Sequence, residues 1–92
     1  MTAAPPARLE ALRVEIERID RALVSLIAER VAVAREVGAA KREADLPTLD
    51  PAREAAVVRR AGELAREAGL PEEAVRELFW VLIGLSRRAQ QQ

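Results

Sequence analysis

The stretch LIAERVAVAREVGAAK, residues 26–41, sets Leu26, Val33 and Val37 at helical spacing and puts Arg30 in the slot between the first two. A cation on an apolar stripe is costly unless something pairs with it, so the stretch implies a helix and poses a question about Arg30. Upstream, the seam continues through Leu9, Leu12, Ile16, Ile19, Leu23 and Leu26 in steps of three and four, and downstream it reaches Ala40. This is heptad spacing. No proline interrupts it between Pro6 and Pro47, and a lone Gly38 costs a helix only about 1 kcal/mol. The pattern predicts one helix from about residue 7 to about residue 43, with residues 1–6 disordered before it.

At about 1.5 Å per residue that helix is roughly 55 Å long, whereas a compact chain of this size has a radius of gyration of about 12 Å. Its own chain cannot cover it. The 92 residues contain no cysteine and no histidine, which removes disulfides and almost every zinc site as sources of stability. Association remains, and a two-fold homodimer is its commonest form.

The segment EADLPTLDP, residues 43–51, closes the first helix and opens a second: Asp50 suits an N-cap and Pro51 the first helical position. The second helix is expected over about 51 to 67, with Val57, Ala61, Leu64 and Ala68 inward and Gly69 as its stop. Pro71, Glu72 and Glu73 open a third, whose inward stripe is Val75, Phe79, Leu82 and Ile83. Phe79 and Trp80 are the only aromatic residues, and β-branched residues are scattered rather than alternating. The expectation is an all-α, three-helix chain forming a single domain over residues 1–92.

Fifteen basic residues balance fifteen acidic ones, and like charges never run beyond pairs, so nothing points to nucleic acid or a membrane surface as partner. Arg59–Arg60 and Arg87–Arg88 read as solvated helix faces. The opening MTAAPPARLE lacks the pattern of a secretion signal, and no apolar run is long enough to span a bilayer. A cytoplasmic protein is expected.

Several polar residues fall on inward stripes. Lys41 lies eleven residues after Arg30, close to three whole turns, so both cations share a face with Cα atoms about 16 Å apart. Ser86 and Gln90 extend the line of Phe79, Leu82 and Ile83, and Arg53 and Glu54 stand one turn before Val57 and Val58. Taken singly, each has an ordinary explanation: Arg30 as a register device or a snorkelling side chain, Ser86 and Gln90 as solvated, Asp50 as a cap. Together they describe a polar pocket with a cationic bias. Without histidine, cysteine or an evident metal site, that pocket is unsuited to triads, thiolates and metal hydrolysis. It suits a dianionic substrate whose reaction needs orientation and electrostatic stabilisation.

The ordered set Leu12-Arg13-x-x-Ile16-x-x-Ile19-Asp20, Ala28-Glu29-Arg30, Val37-Gly38-x-x-Lys41, Asp50-x-x-Arg53-Glu54, then Phe79, Ser86 and Gln90 resembles the all-helical chorismate mutases, over about residues 8 to 91. The resemblance implies an intertwined homodimer of three-helix chains that rearranges chorismate to prephenate, toward phenylalanine and tyrosine, with no cofactor and no acid–base step. Carried over by position, it gives Arg30 and the partner chain's Arg13 the two substrate carboxylates, and gives Lys41 and Gln90 the ether oxygen. Asp50 and Glu54 would meet the hydroxyl region, Ser86 would lie beside a carboxylate, and Arg53 would add positive potential. Arg13 stands seventeen residues before Arg30, roughly 100° around the helix, consistent with one helix serving two pockets. TLDPARE, residues 48–54, brings no further cation beside Asp50, so one contact seen in some relatives is missing. The resemblance leaves open isochorismate pyruvate lyase and aminodeoxychorismate mutase activity, and a non-catalytic regulatory dimer. It also admits an enzyme of the shikimate pathway as partner.

Overall fold

The computed structural model describes residues 5–91. The chain forms α1 (Pro5–Glu43), α2 (Pro51–Glu67) and α3 (Glu72–Gln90), and α3 packs along both of the others. The expected disorder of residues 1–6 falls partly outside the described residues. Pro5 and Pro6, which are described, form the first turn of α1, where a missing N–H removes no intrahelical bond.

Each helix end has a local cause. The backbone N–H of Leu46 reaches the Lys41 carbonyl at 2.8 Å and that of Asp45 reaches Arg42 at 3.2 Å, with Asp45 at φ 55°. The end of α2 repeats the arrangement, Leu70 to Ala65 at 2.8 Å and Gly69 to Arg66 at 3.1 Å, with Gly69 at φ 74°. Both are Schellman terminations, which need a left-handed residue; glycine takes that conformation freely and aspartate tolerates it. Asp50 caps α2 as expected, its Oδ1 accepting from the Arg53 N–H at 3.1 Å.

The packed faces differ from the expected stripes on two helices. On α1 the residues turned toward the rest of the chain are Ile27, Arg30, Val31, Ala34, Gly38 and Lys41, while the seam of Leu9, Leu12, Ile16, Ile19, Leu23, Leu26, Val33 and Val37 is exposed. On α2 the buried set is Val58, Ala61, Gly62 and Ala65, and Leu64 is 53% exposed. Small side chains explain both. Gly38 and Gly62 allow close approach: a Cβ at Gly38 would fall 2.7 Å from the Gln90 Cα, and one at Gly62 would fall 2.6 Å from the Arg76 Nε. The helices therefore meet along their alanines and glycines, and the larger side chains are displaced to the sides. On α3 the expected stripe is the packed one.

The result is a long molecule, 65 × 26 × 15 Å with a radius of gyration of 17.9 Å, against about 12 Å for a compact chain of this length. Among the described residues the buried apolar core is Ala34, Val58, Ala61, Ala65, Ile83 and Ala89. Four of the six are alanines, so large apolar side chains contribute little to this core. No helix among the described residues is long and apolar enough to cross a membrane.

Candidate active site

A cleft of about 260 Å³ opens where the C-terminal half of α1, the start of α2 and the end of α3 meet. Arg30, Lys41, Arg53, Glu54, Ser86 and Gln90 supply its polar lining, and Val33, Ala34, Val37, Val57 and Ile83 its apolar walls. Six of the eight site residues expected from the sequence are thus brought together from three helices. A smaller adjoining cleft of about 230 Å³ shares Arg30 and Arg53 and adds Arg60 and Phe79.

The two cations on α1 are fixed by α3 and by the α1–α2 connection. Arg30 Nη1 donates to Ser86 Oγ, which itself donates to the Leu82 carbonyl at 3.1 Å. Lys41 Nζ donates to the Thr48 carbonyl at 2.8 Å and to Gln90 Oε1 at 2.7 Å. An ammonium only donates, so the amide oxygen of Gln90 must face it and the Gln90 NH₂ is left as a donor. Lys41 therefore sets which end of Gln90 is available.

The backbone of Gln90 is also held. Arg42 Nη1 donates to its carbonyl at 2.8 Å, and Gly38 lies directly beneath it. Gly38→Ala would place a methyl 2.7 and 2.9 Å from the Gln90 Cα and carbonyl carbon, forcing α3 away from α1. Such overpacking costs about 1–3 kcal/mol. Urea unfolding of Gly38→Ala is expected to show a lowered midpoint; an unchanged midpoint would mean that α3 accommodates the methyl without strain.

Glu54 is held from α3. Arg87 Nε donates to its Oε2 at 2.8 Å, and Arg87 Nη2 donates to Oε1. The Arg87 hydrogen bond holds the Glu54 carboxyl below its usual range, with the charges of Arg87 and Lys41 acting in the same direction and burial opposing them. Arg87 is exposed, as the sequence suggests, but it is paired with Glu54. Thirty-three positions separate it from Glu54, and neither helix alone carries a periodic signal linking the two. The Thr48 carbonyl was likewise hidden, because a backbone acceptor has no sequence signature.

Two expected site residues stand elsewhere within the single chain. Asp50 caps α2, its carboxylate engaged by the Arg53 N–H. Arg13 is exposed on the first half of α1, 4.0 Å from Glu10 and about 26 Å along the helix from Arg30.

Comparison with known proteins gives this geometry a context. The chain is 35% identical over 72 residues to the T-protein of Enterobacter agglomerans, covering 78% of this chain and 19% of that protein; it spans about a fifth of the length of that relative. It is 32% identical over 85 residues to a protein of Methanocaldococcus jannaschii named chorismate mutase, covering 92% of this chain and 86% of the other. A solved structure of a conserved hypothetical protein from Pyrococcus furiosus superposes with a TM-score of 0.74 at 34% identity, over 96% of this chain and 99% of that one. The family model for chorismate mutase type II matches residues 12–91, taking in all three helices and every residue of the cleft, and the chain therefore belongs to the chorismate mutase type II family.

Proposed function

We propose that the protein is a chorismate mutase, converting chorismate to prephenate in the cytoplasm for phenylalanine and tyrosine biosynthesis. The observation that carries this is the donor set of the cleft: Arg30, Lys41 and the Gln90 amide, each fixed by a contact to another part of the chain. The rearrangement breaks one C–O bond and forms one C–C bond within a single molecule, with no proton to move. What accelerates it is confinement of the reactive conformer and stabilisation of the negative charge that grows on the ether oxygen. Lys41 and the Gln90 NH₂ supply that stabilisation, Arg30 and Ser86 receive a carboxylate, Glu54 faces the hydroxyl region, and Arg53 adds positive potential. Substrate that displaces water from the cleft would strengthen each of these contacts.

The working unit in this reading is a homodimer. The exposed leucine seam of α1 needs a cover as long as itself, and a second α1 has the matching length and periodicity. With the two α1 helices laid together, Arg13 of one chain is free to complete the cleft of the other and hold the second carboxylate. Its distance from Arg30 in its own chain fits that division.

The test is the loss of chorismate absorbance on adding purified protein, with isochorismate and aminodeoxychorismate run in parallel. Chorismate turnover giving prephenate is the expected result. Turnover of either analogue in preference to chorismate would move the protein to a pyruvate lyase or an amino-substrate mutase, and turnover of none would leave a ligand-binding dimer.

A further inference from the structure

Glu54 poses an electrostatic problem for the proposed reaction. It is a carboxylate in the lining of a cleft read as receiving a dianion, with its side chain 15% exposed, so its charge repels the substrate carboxylates. Arg87 answers the problem from α3: its guanidinium fork meets both carboxylate oxygens, Nε to Oε2 at 2.8 Å and Nη2 to Oε1. Bidentate pairing of this kind fixes the plane of the carboxylate as well as its charge. The lone pairs that Arg87 does not use remain able to accept a hydrogen bond.

We propose that Arg87 is a positioning residue that acts through Glu54, holding its carboxylate oriented to accept the substrate hydroxyl and neutral in sum toward the substrate carboxylates. This rests on the chorismate mutase reading of the cleft. The lowered carboxyl of Glu54 agrees with it, the Arg87 hydrogen bond being the largest cause. Lys41 on α1 also faces Glu54 and lowers its carboxyl, and Arg30 on α1 and Arg53 on α2 share the lining. None of these three is hydrogen-bonded to the Glu54 carboxylate among the described residues. They supply positive potential, and Arg87 supplies the orientation.

The experiment is Arg87→Gln in the full chain, with Arg87→Lys beside it and both repeated on Glu54→Gln. Arg87 is half exposed, so the variants are expected to keep the parental helicity. The ionisation of Glu54 is followed by carbon NMR of its carboxyl, and kcat and KM are measured across pH. In Arg87→Gln the Glu54 carboxyl titrates at higher pH than in the parent and the acid limb of kcat/KM moves up with it. KM rises about tenfold, the size expected for losing a hydrogen-bonded charge, and kcat changes less. Arg87→Lys restores the titration more fully than the KM, because an ammonium returns the charge but not the fork. On Glu54→Gln, replacing Arg87 has no further effect. An unchanged Glu54 titration in Arg87→Gln overturns the proposal, as does an equal loss with and without Glu54. The NMR titration needs no turnover, so it decides whether Arg87 governs Glu54 even if chorismate proves not to be the substrate.

Discussion

Arg30→Ala is expected to lower kcat/KM for chorismate by about 10²- to 10³-fold, the range found when one preorganised donor to a charged group is removed, with helical content and oligomeric mass unchanged. The argument is local. Arg30 is half-buried on the packed face of α1 and donates to the neutral Ser86 hydroxyl, so that contact fixes the guanidinium without cancelling its charge. Desolvating a cation beside a neutral partner disfavours the empty fold and favours the complex with an anion. If Arg30 were instead a device for setting helix register, the alanine variant would retain activity and change its assembly. Circular dichroism and native mass establish the fold, and kinetics establish the function.

Mixing two inactive variants is expected to restore about a quarter of parental activity. Arg13→Ala and Arg30→Ala each damage both clefts of their own homodimer when every cleft takes Arg30 from one chain and Arg13 from the other. After subunit exchange, a mixed dimer holds one cleft with both defects and one with neither. Random pairing makes about half of the dimers mixed, each with one of two clefts intact, by two-fold symmetry. Exchange is verified by mass, using a tagged copy of one variant. Verified exchange without recovery would place Arg13 outside the partner's cleft.

Much of this architecture is legible in the sequence because it depends on local chemistry. The length of α1, the Asp50–Pro51 start of α2 and the Gly69 stop follow from periodicity and capping, and each is observed. What sequence reading leaves open is orientation. Heptad spacing identifies a face that must be covered but not the chain that covers it. The leucine seam of α1 is left open by its own chain, as the length of the helix implies, while the chain's own contact runs along Ala34 and Gly38, which lie off that seam. Leu64 was misplaced for a related reason: hydrophobicity favours the large side chain, whereas close helix approach favours Ala61, Gly62 and Ala65. The polar lining was recoverable because Arg30, Lys41, Ser86 and Gln90 interrupt apolar stripes. Arg87 interrupts none, so it reads only as part of a solvated face.

The uncovered seam of α1 also bears on how the chain reaches its working form. A single copy has an alanine-rich core and some 60% of Leu26 in water, and folding that leaves such a surface exposed is weakly favoured. Where a second copy completes it, folding and association become one step. The fraction of competent clefts then follows mass action, rising with protein concentration and falling on dilution. In such a dimer catalysis would depend on the encounter between chains, and the amount of protein present would set what share of the clefts is complete.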